Sequence, residues 1–228
     1  MDIIDVLYGK VIVSSQAMPD EPFYDKICMT AMIQSVINGG ALALRVAGAR
    51  DVKIAKSFNV PVIGLTKPDK LPENWKEVVY ITPTLKEVRE LIDAGADIIA
   101  FDGTSRTRPN GCRLEDIIYE IHKANKIAMA DISTFGEAIN CTNIGADIIS
   151  TTLSGYTIES NNNLEEPDFE LLEKLKKTIN KPVILEGRIW EPSQVKKAFL
   201  LGAHSVVIGS AITRPQLITK RFIEYNKF

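Results

Sequence analysis

The feature that most restricts this chain is a repeated opening. Gly95-Ala96-Asp97-Ile98-Ile99 recurs unchanged as Gly145-Ala146-Asp147-Ile148-Ile149, and Gly39-Gly40-Ala41 and Gly202-Ala203-His204 are looser versions of it. A second opening alternates with the first, as Asn59-Val60-Pro61-Val62-Ile63, Asn125-Lys126-Ile127-Ala128 and Asn180-Lys181-Pro182-Val183-Ile184. Glycine in the first opening suits a left-handed helix C-cap just before a strand. Proline in the second suits a strand start, where a missing N–H costs little. Each opening leads into a short β-branched run, and longer stretches with helical apolar spacing separate the runs, the pattern of a parallel sheet with crossover helices. The runs predicted as strands are 11–13, 42–45, 61–65, 97–101, 127–131, 147–151, 182–186 and 204–208. An extended piece at 78–81 interrupts the third unit and reads as an insertion in a loop. The helix after it is expected to be capped by Thr82 or Thr84, with Pro83 near its first turn.

Alternating openings over eight βα units predict an α/β fold built from two-unit repeats, a single (β/α)8 TIM barrel spanning 1–228, closed so that no sheet edge remains. An open doubly wound sheet is the alternative, but no Gly-x-Gly-x-x-Gly follows the first strand. At 228 residues, 45% apolar and 25% charged, the chain has the makings of one large core. Its 27 Lys and Arg against 29 Asp and Glu give a charge of -2, without a footprint for nucleic acid or an acidic membrane. No apolar run is long enough to span a bilayer, and the start lacks the pattern of a signal peptide. Small-molecule partners are therefore expected. Cys28, Cys112 and Cys141 are odd in number and lack CxxC spacing, which argues for a reducing cytoplasm rather than a disulfide framework or a zinc knuckle.

In such a barrel the chemistry lies where strands end. Read in order, those ends supply Gln16, Arg45, Lys67, Asp102, Asp131, Thr151 with Thr152, Glu186, and Gly209 with Ser210. Asp97, Asp147 and His204 fall at strand starts, on the opposite face, and are expected to be structural. Each candidate has a plain reading beside the functional one. Lys67, followed by Pro68-Asp69, is either a surface charge or a catalytic amine. Glu186 either pairs with a neighbouring arginine or serves as an acid or base. Arg45 and Asp131 either pair with each other inside the barrel mouth or contact a ligand. The cysteines, His122 and His204 assemble no nucleophile–His pair and no metal cluster, which disfavours hydrolytic triads and zinc. Trp75 and Trp190 are isolated and read as packing residues. Gly187-Arg188 and Gly209-Ser210-Ala211-Ile212-Thr213-Arg214-Pro215 supply close backbone approach at the position of this fold that favours phosphate.

Several segments, taken in order along nearly the whole chain, resemble one bacterial family, the N-acylglucosamine-6-phosphate 2-epimerases of sialic acid breakdown. They are Ser14-Ser15-Gln16-Ala17-Met18-Pro19, Gly64-Leu65-Thr66-Lys67, Tyr80-Ile81-Thr82-Pro83-Thr84, Ala130-Asp131-Ile132-Ser133-Thr134, Thr151-Thr152-Leu153-Ser154-Gly155-Tyr156-Thr157, Glu186-Gly187-Arg188-Ile189 and the block from Gly209 to Pro215. The resemblance implies the same barrel and no cofactor or metal. It also implies an isomerase that interconverts N-acetylmannosamine 6-phosphate and N-acetylglucosamine 6-phosphate, working as a homodimer. It further implies catalytic roles for Lys67 and Glu186 and substrate contacts for Gln16, Arg45 and Asp131. Thr152, Gly187, Arg188, Gly209, Ser210 and Arg214 complete the expected binding set. Where that family commonly reads Arg-Ala-Asn-Gly, this chain has Arg45-Val46-Ala47-Gly48, which removes one amide, and the loop at 160–166 is longer than usual.

Epimerisation beside an aldehyde needs a proton removed from one face of C2 and returned to the other. Strands three and seven lie across an eight-stranded barrel from each other, so Lys67 and Glu186 are placed to flank such a carbon. Two rivals stand beside this reading: another phosphate-binding barrel enzyme, such as a thiamine-phosphate-synthase-like transferase, and a sugar-phosphate-binding protein without catalysis.

Overall fold

A computed structural model describes residues 2–160 and 165–225. The longer loop expected at 160–166 lies for the most part outside the described residues. The strands are β1 (Val11–Ser15), β2 (Leu44–Ala47), β3 (Val62–Leu65), β4 (Ile98–Asp102), β5 (Ile127–Asp131), β6 (Ile148–Ser150), β7 (Val183–Glu186) and β8 (Ser205–Ile208). All pairings are parallel, neighbours follow chain order, and β8 closes the barrel onto β1 through Val11↔Val206. The helices are α1 (Ile3–Leu7), α2 (Lys26–Asn38), α3 (Ala49–Lys56), α4 (Leu85–Asp93), α5 (Leu114–Lys123), α6 (Phe135–Asn143), α7 (Phe169–Thr178), α8 (Pro192–Leu200), α9 (Ser210–Thr213) and α10 (Pro215–Tyr225).

The two-residue period of a strand sorts its side chains into two cores. In β3, Ile63 and Leu65 join the inner cluster of the barrel, with Ile12, Ile98, Met129 and Val207. Val62 faces outward into the cluster shared with the helices. Gly64, between Ile63 and Leu65, lets two helices approach: a Cβ there would stand 2.9 Å from the Ala96 Cβ, 3.1 Å from Val52 of α3 and 3.2 Å from Leu91 of α4. The side chains of α1 pack on the inner cluster, Leu7 within it and Ile3 and Ile4 against it.

The repeated opening has a physical reason beyond its glycine. Gly95 and Gly145 take φ of 93° and 105°, reversing the chain out of a helix. The aspartate two residues on then ties the strand pair together. Asp97 accepts the Val62 N–H at 2.9 Å and pairs with Lys56, and Asp147 accepts the Ala128 N–H at 2.9 Å and pairs with His122. His204 meets the Ile4 carbonyl at 2.8 Å. All three lie at strand starts, in the structural role expected of them.

The piece at 78–81 forms no strand and lies in a loop, as expected, with Ile81 and Thr82 over the ends of β3 and β4. The Asp102 N–H donates to the Ile81 carbonyl and Thr82 Oγ1 donates to the Ala100 carbonyl. Thr82 is thereby fully occupied, and the cap of α4 is Thr84, in a reciprocal box with Glu87. One expectation is corrected: the second strand runs from Leu44 to Ala47 rather than over 42–45, which places Arg45 inside the strand, opposite Ser14 and Ile63, instead of at its last position.

Candidate active site

The C-terminal ends of the strands surround a cavity of about 380 Å³, within the range of small-ligand sites. Of the expected residues, Gln16, Lys67, Thr152 and Glu186 line it, as do Gly187 and Arg188 from the seventh loop and Gly209, Ser210 and Arg214 from the eighth. Arg45 and Asp131 do not. They lie beneath its floor, with side-chain exposures of 1% and 0%, joined by two hydrogen bonds of 2.6 and 3.1 Å. The structural ion pair is therefore real, and it is also the support of the site. Arg45 Nη1 stands 3.4 Å from Glu186 Oε2.

Glu186 ends β7, its N–H donating to Thr151 Oγ1 at 3.1 Å. Burial raises its pKa, against the opposing charge of Arg45 and with the help of Asp131. Proton counting agrees. Thr152 Oγ1 lies 2.7 Å from Asp131 Oδ1 and 2.9 Å from Glu186 Oε2. A hydroxyl carries one hydrogen and cannot donate to both. Asp131 has the guanidinium as its bidentate partner, so Glu186 is the carboxyl better placed to hold a proton of its own.

Lys67 stands two residues past β3 and makes no salt bridge among the described residues. By surface area it is exposed, yet its pKa is brought down to about 8, first by desolvation and then by the positive charges of Arg45 and Arg214, against the pull of Glu186. The two facts are compatible, since a side chain in a narrow mouth touches water while protein fills most of the volume around it. The charge responds to that volume. Arg45 is held in the opposite sense: burial would lower its pKa, but Asp131 and Glu186 raise it, so it stays a cation.

The two arginines of the later loops are committed to partners. Arg214 pairs with Glu21 at 2.9 Å. Arg188 donates through Nη1 to the Ser154 carbonyl and through Nε to that of Glu166, both at 2.8 Å, and so ties the seventh loop to the sixth. Asp102 is withdrawn from the mouth by a buried pair with Arg106 at 2.6 Å.

Among the wall residues that sequence reasoning missed are Ser14, Tyr80, Tyr156 and Trp190. Trp75 packs at 6.4 Å from Tyr80 and 6.5 Å from Tyr156, joining the third and sixth loops. Burial pushes the Tyr80 phenol up to about 12, so it stays neutral. Both tyrosines lay within the segments that carried the family resemblance, but no spacing marked them as cavity residues. Among the described residues no group of three or more His, Cys, Asp or Glu is arranged to hold a metal ion, and no helix is long and apolar enough to cross a membrane.

Comparison with known proteins fits this geometry. The family described as "Putative N-acetylmannosamine-6-phosphate epimerase" matches residues 29–227. A protein of Clostridium perfringens named "Putative N-acetylmannosamine-6-phosphate 2-epimerase" is 47% identical, covering 99% of this chain and 100% of its own length. One of the same name from Clostridioides difficile is 45% identical, covering 97% and 98%. The solved structure of the N-acetylmannosamine-6-phosphate 2-epimerase from Clostridium perfringens superposes with a TM-score of 0.93 at 46% identity, covering 99% of this chain and 96% of that one. A thiamine phosphate pyrophosphorylase from Pyrococcus furiosus, at 13% identity and a TM-score of 0.60, shares the fold alone.

Proposed function

Because the chain belongs to the N-acetylmannosamine-6-phosphate epimerase family and is a carbohydrate-phosphate 2-epimerase, we propose that Lys67 and Glu186 exchange the C2 proton as it interconverts N-acetylmannosamine 6-phosphate and N-acetylglucosamine 6-phosphate. The observation that carries this is the meeting in one cavity of an amine whose pKa is lowered to about 8 and a carboxyl whose pKa is raised, from strands on opposite sides of the barrel.

The open-chain sugar presents C2 beside the C1 aldehyde. Neutral Lys67 takes the C2 proton, the electron pair of the C–H bond moves into the C1 carbonyl, and the Glu186 carboxylic acid returns a proton to the other face. The enzyme is left with an ammonium and a carboxylate, the pair that runs the reverse reaction. One proton shared by two groups serves both directions. Arg45 and Asp131 act from beneath, Arg45 by keeping Lys67 deprotonable and Asp131 through Thr152. The backbone of Gly187, Gly209 and Ser210, with Arg214, holds the 6-phosphate. Gln16 contacts the sugar near Lys67, and Arg188 keeps the wall in place.

The same proposal includes a homodimer and a reducing, cytoplasmic setting. Helix α10 buries none of its residues and exposes Phe222, Ile223 and Tyr225, an apolar surface that a second copy would cover. All three cysteines are free.

Proton NMR of N-acetylmannosamine 6-phosphate in heavy water, with chelator, tests the chemistry. The gluco epimer is expected with deuterium at C2. Unchanged sugar, with the protein folded and the sugar bound, would favour a binding protein instead. Lys67→Ala and Glu186→Gln are each expected to lower kcat by roughly 100-fold or more, and turnover within about three-fold of wild type in both would rule out the two-carrier scheme.

A further inference from the structure

Thr82 leaves the capping of α4 to Thr84 and turns its own hydrogen bonds toward Thr66, the residue before Lys67. Its hydroxyl is wedged between two strand ends. The Thr66 N–H donates to Thr82 Oγ1 at 3.1 Å, and Oγ1 donates its single hydrogen to the Ala100 carbonyl at 2.7 Å. The Thr82 N–H donates to the Thr66 carbonyl at 3.2 Å, and the Ile81 carbonyl accepts the Asp102 N–H at 3.1 Å. Residues 81 and 82 therefore occupy the place where β3 and β4 would go on pairing with each other. The direct register of those strands stops at Ile63↔Ile98 and Gly64↔Ile99, whereas β4 and β5 stay paired as far as Asp102↔Asp131.

The backbone of Thr82 is held in an unusual state. The residue is fully buried and takes φ of 43°. Among the described residues the other non-glycine residues with positive φ are three asparagines, which tolerate that region, and Arg188. Thr82 is β-branched and precedes Pro83, and both features favour extended backbone. A conformation this unfavourable persists only where its surroundings fix it, and such residues gather at functional sites. What Thr82 fixes in turn is the chain that enters Lys67. It holds the peptide groups on both sides of the Thr66 Cα, the second of which is the bond to Lys67, and Pro68 restricts the lysine backbone from the other side. The same segment brings Tyr80 and Ile81 to the cavity wall.

We propose that Thr82 is a positioning residue for Lys67, a hydroxyl wedge that parts β3 from β4 at the barrel mouth and fixes the direction in which the lysine enters the cavity. The inference rests on the reading of Lys67 as a proton carrier. Thr82 is not part of the cavity wall, so its effect falls on alignment, where a displacement of about 1 Å costs roughly 100-fold in rate. The groups proposed to hold the sugar phosphate stand on other loops. A loss of alignment therefore lowers kcat and leaves KM near its original value.

The test measures kcat and KM for N-acetylmannosamine 6-phosphate, with a thermal melt of each protein. Thr82→Val keeps the shape and removes the hydroxyl, and kcat is expected to fall about ten-fold or more with KM within about three-fold of wild type. Thr82→Ser restores the hydroxyl and is expected to keep kcat within about three-fold of wild type. Thr82→Gly accepts the positive φ but has no hydroxyl, and it is expected to lose kcat as the valine variant does, which supplies the same test should the valine variant fail to fold. Leu175→Ala, at a fully buried position of α7, is expected to melt lower and keep its kcat, so that loss of stability is told apart from loss of alignment. The proposal is overturned by a kcat within about three-fold of wild type in folded Thr82→Val or Thr82→Gly, by a loss that serine does not rescue, or by an equal loss in Leu175→Ala. Turnover by Lys67→Ala within about three-fold of wild type would instead remove the reading of Lys67 on which the proposal rests, whatever the Thr82 variants do.

Discussion

Arg45→Met isolates what the buried pair contributes. The substitution removes the bidentate partner of a fully buried carboxylate and leaves Asp131 with the Thr152 hydroxyl as its remaining side-chain donor. Breaking a buried pair in this way costs about 3–5 kcal/mol, because the remaining charge has lost both water and its counter-ion. For a domain of this length each kcal/mol lowers Tm by about 2–4 °C, so a fall of roughly 6–20 °C is expected. Arg45→Met/Asp131→Leu removes both charges and should recover most of that loss, since apolar side chains can fill a buried ion-pair site at little or no cost. Differential scanning calorimetry near pH 7 gives the comparison, and kcat on the same samples separates folding from chemistry. The double variant is expected to be stable and strongly impaired, having lost the charge that keeps Lys67 deprotonable and the anchor of Thr152. A single variant within about 1 kcal/mol of wild type, or a double variant no more stable than the single, would refute the reasoning.

Further tests follow from other contacts. Activity requires one proton on the Lys67–Glu186 pair, so kcat/KM should fall above a pH of about 8 as Lys67 loses its proton. Arg214→Gln removes a charge that lowers the Lys67 pKa and should move that alkaline limb upward, whereas an unmoved or lowered limb counts against the assignment. Gly64→Ala places a Cβ 2.9 Å from that of Ala96 and should cost about 1–3 kcal/mol in a calorimetric scan. Phe222→Glu should convert a dimer to a monomer in sedimentation velocity, and a wild type monomeric at tens of micromolar would remove the dimer from the proposal.

Much of this protein was legible in one dimension because its regularities are local. The alternating Gly-Ala-Asp and Asn-x-Pro openings depend on caps and strand starts, which act over a few residues, and from them follow the barrel, its closure and the face that carries chemistry. Candidates at the strand ends came with that geometry, so Gln16, Lys67, Thr152 and Glu186 were found where the cavity is. Contacts over long chain separations were not legible in the same way. Arg45 and Asp131 are 86 positions apart, and whether they meet a ligand or each other depended on β2 and β5 bringing both side chains into the same buried space. The commitment of Arg188 to two loop carbonyls and the joining of Tyr80 and Tyr156 through Trp75 arise only when separate loops are packed side by side. Sequence alone determined the scaffold and the candidates at its strand ends. The tertiary structure decided which of them share a cavity, which way their pKa values move and the shape of the space beside them, because desolvation and charge pairing depend on every atom nearby and not on neighbours along the chain.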